Sequence, residues 1–134
     1  MTMSYRMAND LEYYEFPYEP TLVNTKEKRI IIPTVVLIGN NTASAAEDFL
    51  IFADALPHFK FIGDKSYGST GQPYLFNLAG EGRARVCTKK DIYPDGREFV
   101  GFGISPDVFV KYNLDDYIHS KDPVLQKAID ILKQ

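Results

Sequence analysis

Hydrophobic positions are densest between Arg29 and Leu56, and the rest of the chain is organised around that stretch. Ile30-Ile31-Ile32 and Val35-Val36-Leu37-Ile38 form a nearly continuous run of aliphatic and β-branched residues. Such a run predicts a strand covered on both faces, as in a parallel or mixed sheet with helices packed on it. Gly39-Asn40-Asn41 is turn chemistry. Beyond it, Ala45, Phe49, Phe52, Ala53 and Leu56 recur at spacings of three and four. That spacing predicts a helix with one stripe against a core, ended by Pro57.

Downstream, Phe59 to Gly63 reads as a short strand, and Tyr74–Leu78 with Arg83–Thr88 as a hairpin turning through Ala79-Gly80-Glu81-Gly82. Arg83 and Arg85 alternate with Ala84 and Val86, so both arginines fall on one solvated face; holding a substrate carboxylate is the functional alternative. Pro94-Asp95-Gly96 is a further turn. Phe99–Ile104 and Val108–Tyr112 read as strand. Asp122 and Pro123 open a last helix as N-cap and first residue, with Leu125, Ala128, Ile129 and Leu132 as its core stripe. Residues 1–28 crowd Tyr13, Tyr14, Phe16 and Tyr18 among prolines. They read as an irregular aromatic-rich arm strapped over the core formed by residues 29–134.

Composition narrows the chemistry. The length of 134 residues suits one domain, and 45% hydrophobic with 25% charged residues is ordinary for a globular fold. A net charge of −3 without a basic stripe argues against nucleic acid. The single cysteine, Cys87, excludes an intrachain disulfide and a cysteine-based zinc site; its strand-like flanks predict a buried filler. No apolar run is long enough to cross a membrane, and Met1 to Asp10 lacks a signal-peptide pattern. No H-x-x-x-H or H-E-x-x-H spacing supports a metal hydrolase. The Asp64–Pro73 loop lacks the ending of a phosphate-binding loop. No cofactor is therefore expected.

Ser44 sits where the strand passes into the helix. Free amides and the positive end of the helix dipole gather there, as an acyl-transfer nucleophile would require. Ser44 and Glu47 also spell the capping box S-x-x-E, which needs no chemistry. On spacing alone the cap is the commoner use. His58 lies at the far end of the helix, about 20 Å away at 1.5 Å per residue, and His119 lies in a polar stretch; neither is placed as a base for Ser44.

Four segments, read in order, change that balance. Val35–Ile38 followed by Thr42-Ala43-Ser44-Ala45-Ala46-Glu47 resembles the nucleophile segment of the tail-specific, or C-terminal processing, serine proteases. Ile62–Gln72 is similar to the family's "IGE-x-T-x-G" strand and loop. Gly103-Ile104-Ser105-Pro106-Asp107-Val108 is similar to its "GI-x-PD" strand, and Asp122–Ala128 to its closing "D-x-x-L-x-x-A" helix. The resemblance implies an α/β fold, the C-terminal part of a ClpP/crotonase-type core, with a mixed sheet and packed helices. It implies a serine peptidase with Ser44 as nucleophile, the Ala45 backbone N–H as an oxyanion donor, and Gly68, Ser69 and Gly71 in the site loop. It also implies a peptide or protein substrate and an exported or periplasmic setting.

The departures from the family are specific. Ser69 stands where the Ser-Lys branch has its lysine. The loop is closer to the tricorn-core branch, which uses an earlier histidine, and no histidine precedes Ser44 here. The matching acidic position is Val100, with Glu98 two residues before it. The base is therefore expected from an upstream histidine or from Glu98 through water. Self-association or a missing N-terminal segment is expected to complete the core. The alternative is an inactive peptide- or apolar-ligand-binding module on the same scaffold.

Overall fold

The computed structural model describes residues 3–7, 13–16 and 31–133. Three small sheets and three helices make up an α/β fold. The expected mixed sheet is thus divided into one parallel and two antiparallel pieces. The parallel sheet holds β3 (Thr34–Ile38), β4 (Phe59–Gly63) and β8 (Val108–Phe109), in the order β3-β4-β8. The helix α1 (Ala45–Asp54) connects β3 to β4, the crossover that parallel neighbours need.

The second sheet joins β1 (Met3–Met7), β2 (Tyr13–Phe16) and β7 (Lys89–Ile92) in the order β2-β1-β7. Two strands therefore lie inside the stretch read as an irregular arm, and β1 pairs antiparallel with β7 of its own chain. The remainder of that arm lies outside the described residues. The third sheet is the hairpin β5 (Pro73–Asn77) and β6 (Arg83–Cys87), closed at Leu78 N–H to Gly82 carbonyl, 2.8 Å. Two short helices' worth of C-terminal chain follow β8: α2 (Leu114–Ile118), which hydrophobic spacing did not reveal, and α3 (Pro123–Leu132), capped by the Asp122 side chain on Leu125 N–H at 2.9 Å.

The core gathers Ile38, Leu50, Ile51, Ala53, Phe61, Tyr93, Phe99 and Ile104, with a smaller cluster of Ile62, Val124 and Ala128. Several expectations are corrected here. In α1 the buried positions are Glu47, Leu50, Ile51 and Ala53. Phe49 and Phe52, placed in the core stripe by spacing, are each 49% exposed. In α3, Val124 and Ala128 are buried while Leu125, Ile129 and Leu132 are exposed. Both helices are apolar on more than one face, so periodicity alone could not select the covered one. The first strand begins at Thr34, with Ile31 and Ile32 exposed ahead of it.

Phe99–Ile104 is not a strand. Gly101 and Gly103 adopt φ of 84° and 77°, and Gly103 N–H donates to the Phe99 carbonyl at 2.8 Å, which folds the segment into a tight turn. The expected strand at Val108–Tyr112 is shortened to Val108–Phe109. Asp107 ties it down: its carboxylate accepts from Phe61 N–H at 2.6 Å, and its own N–H donates to the Phe61 carbonyl at 2.9 Å.

Candidate active site

At the end of β3 the chain turns through Gly39–Thr42, held by Thr42 N–H to the Gly39 carbonyl at 2.8 Å and Gly39 N–H to Thr42 Oγ1 at 3.1 Å. Ser44 follows with φ 58° and ψ −124°. A residue with a Cβ is strained in that left-handed region, at about 1–3 kcal/mol. Two acceptors hold it there. Ser44 N–H donates to the Ser69 carbonyl at 2.8 Å and to Glu47 Oε2 at 3.1 Å.

Ser44 and Glu47 stand in the relation of a capping box. The Ser44 hydroxyl nevertheless completes no cap hydrogen bond, because Glu47 N–H is taken by the Ser44 carbonyl at 2.8 Å. Ser44 is exposed. It lines a groove of about 500 Å³ together with Asn41, Tyr67, Ser69, Arg85 and Cys87. Ala45 opens α1 directly beside it, and its N–H is in no hydrogen bond among the described residues.

Beneath the groove lies Glu47, fully buried. Four donors converge on its two oxygens. Oε1 accepts from Ser66 Oγ at 2.5 Å and Gly68 N–H at 2.6 Å; Oε2 accepts from Ser69 N–H at 2.9 Å and Ser44 N–H. Ser66 extends the network, since its Oγ accepts from Ile104 N–H at 2.6 Å and its N–H donates to the Ile104 carbonyl at 3.0 Å. Tyr67 N–H donates to the Thr42 carbonyl at 2.8 Å. The segments Thr42–Glu47, Ser66–Ser69 and Gly103–Ile104 are far apart in sequence and meet at one carboxylate. Sequence reading had Glu47 only as a cap partner in a first helical turn. A second function was hidden because its donors are contributed from another loop.

The glycines of the Ser66–Pro73 loop serve packing. A Cβ on Gly68 would lie 2.6 Å from Gly103 N, and one on Gly71 would lie 2.7 Å from the Lys89 carbonyl oxygen. Both have positive φ, 78° and 151°. The loop can therefore lie flat against the Phe99–Gly103 turn on one side and β6–β7 on the other. Thr70 adds an anchor, donating to the buried Asp91 carboxylate at 3.1 Å, which Lys89 Nζ also meets at 2.8 Å. This buried acidic neighbourhood acts on Asp48. Desolvation first, then the Asp91 charge, raises the Asp48 carboxyl above its ordinary range, while Lys89 opposes the shift.

Residues 4–110 match the sequence pattern of peptidase family S41. The chain belongs to that family. Over 99 residues it is 32% identical to the carboxy-terminal-processing protease of Bartonella bacilliformis, an alignment covering 72% of this chain and 22% of that protein. A candidate peptidase from Parabacteroides merdae shares the fold at a TM-score of 0.73 and 21% identity, over 97% of this chain and 41% of its own. Mature CPAF, solved with lactacystin, superposes at a TM-score of 0.72 and 16% identity, over 92% of this chain and 24% of its own. The chain thus spans about a fifth of the length of the curated relative it matches.

Within this S41 chain the other candidates are dispersed. Ser69 reaches the groove, and its backbone N–H and carbonyl are the groups that brace Glu47 and Ser44. Glu98 does not line the groove; it is exposed and pairs with Lys90 at 2.6 Å. Val100 packs against the main core cluster. His58 stacks on Phe59 with ring centroids 4.8 Å apart, and His119 pairs with Asp115 at 3.0 Å on the surface. Neither histidine lines the groove. Cys87, expected in the interior, is exposed and forms part of the groove wall, because β6 belongs to a hairpin that projects from the core. Among the described residues no helix is long and apolar enough to cross a membrane.

Proposed function

We propose that this chain carries the nucleophile and one oxyanion donor of a serine peptidase, as the C-terminal catalytic part of a ClpP/crotonase-type core in a processing protease. The observation that supports this most is Ser44: an exposed hydroxyl on a strained strand-to-helix turn, unused as a cap, facing a groove beside an unengaged amide. A strained turn that lifts a serine out of the backbone is also how unrelated hydrolases present theirs, which is an analogy of geometry alone.

In this reading Ser44 Oγ attacks the peptide carbonyl carbon, and its proton passes to a base outside the described residues. The new oxyanion lies against Ala45 N–H. The carbon–nitrogen bond breaks, the amine leaves with the proton, and water releases the acyl group from Ser44. The groove lining contains no histidine, lysine or carboxylate, so the reading assigns the base to an upstream histidine and not to Glu98. The exposed Phe49–Phe52 face of α1 and the Leu125–Ile129 face of α3 suit a core completed by further chain or by a second copy. An exported or periplasmic setting belongs to the same proposal.

The missing base also supports a second reading, a binding module in which Ser44 does no chemistry. A fluorophosphonate probe separates the two when applied to the protein expressed from its full reading frame. Labelling at Ser44, lost in Ser44→Ala with an unchanged melting temperature, is the expected result. A folded protein that resists the probe, or one whose labelling persists in Ser44→Ala, favours the binding module.

A further inference from the structure

The groove beside Ser44 carries a charge that the proposed peptidase chemistry does not use. Arg85 is its one formally charged lining residue among those described. Its position follows from hairpin register. Leu75 pairs with Arg85, Asn77 with Arg83 and Pro73 with Cys87, so one face of the ribbon carries Arg83, Arg85 and Cys87 in sequence. Cys87, Pro73 and Arg85 on that face line the groove, and Arg83 lies one pair farther out.

No ion pair engages either guanidinium among the described residues. The cations that do pair are Lys89, Lys90, Arg97, His119 and Lys121. The contrast matters in a chain of net charge −3, where carboxylates are in excess and most surface cations find one. An arginine left open at a groove wall presents a planar fork of donors matched to a carboxylate. The rest of the lining is uncharged, so nothing within the groove competes for such a ligand.

We propose that Arg85 makes this groove select a substrate carboxylate close to the bond presented to Ser44. The inference rests on the peptidase reading for the word substrate, but its geometry is that of the groove alone. The carboxylate has two sources, the free C-terminus of a peptide or an acidic side chain within it, and both present the same two oxygens to the fork.

The test uses labelled peptides in matched pairs: a free C-terminal acid against its amide, and an internal Asp against Asn. They are titrated against the full-length protein carrying Ser44→Ala, which prevents turnover. The carboxylate member of at least one pair is expected to bind about tenfold tighter or more, and the gap to narrow with added salt. In the double variant with Arg85→Gln that gap is expected to fall to about twofold or less. Whichever pair shows the gap identifies the source. Equal binding within both pairs, or a gap that survives Arg85→Gln, overturns the proposal. Acylation of Ser44 in the wild-type protein is scored separately, so a groove indifferent to carboxylates leaves the peptidase reading standing.

Discussion

The two walls of the groove are built on opposite principles. The seam around Glu47 is buried, and each of its polar groups is committed: four donors meet one carboxylate, and Ser66 both donates and accepts. The β5–β6 hairpin is exposed along nearly its whole length, with Tyr74, Leu75, Phe76 and Val86 open to solvent and its two arginines unpaired. A lone two-stranded hairpin is marginal by itself in water, whereas a fully satisfied buried network specifies one arrangement. Positioning of Ser44 therefore rests on the seam, and discrimination among ligands rests on the hairpin.

The largest expected effect breaks the seam. Glu47→Ala leaves buried amide donors without an acceptor and releases the strained Ser44 backbone. It is expected to cost about 3 kcal/mol or more, read from urea unfolding at fixed temperature. A loss below about 1 kcal/mol would mean the converging hydrogen bonds do not carry the loop.

A smaller effect sharpens the electrostatics of the same wall. Asp48 has its folded-state carboxyl raised, chiefly by desolvation. The folded state then holds its proton to higher pH than the unfolded chain does. Its ionised form costs stability; that cost is absent below the ordinary carboxylate range, grows as pH rises through the raised value, and is complete at neutral pH. Asp48→Asn is expected to raise the melting temperature at pH 7 and to leave it nearly unchanged at pH 3. The opposite ordering would show that Asp48 gains more from Lys89 than it loses by burial.

The smallest effect belongs to the hairpin. Tyr74 and Phe76 stack at a centroid separation of 6.2 Å, but both remain exposed. Phe76→Ala is expected to change global stability by about 0.5 kcal/mol or less. A cost several times larger in the same unfolding assay would erase the distinction between the walls and show the hairpin to be part of the core.

Legibility in the sequence followed the same division. Local signals were readable: the aliphatic run of β3, the Gly39–Asn41 turn, the Asp122 cap with Pro123, and the hairpin with its arginines on one face. Four short motifs pointed to the protease family, and Ser44 stood out as the exposed seam residue. What could not be read was long-range. Glu47 gains its role from amides more than twenty positions away. Phe99–Ile104 carries strand-like residues, but two glycines with positive φ and close approach to Ser66 fold it into a turn. The helices were recognised and their buried faces were not, since Phe49 and Leu125 are as apolar as Leu50 and Val124. Cys87 looked like core because its neighbours look like strand, and the strand is one that nothing covers among the described residues.

The central claim is that the Ser44 hydroxyl is a working nucleophile. It is tested most directly by treating the full-length protein with p-nitrophenyl acetate and mapping the acetyl group by mass spectrometry. A burst of p-nitrophenolate matching the protein present, with the acetyl group on Ser44 and neither burst nor adduct in Ser44→Ala, is the expected result. A folded protein with no burst, or one whose acetyl group sits on another residue, contradicts the account.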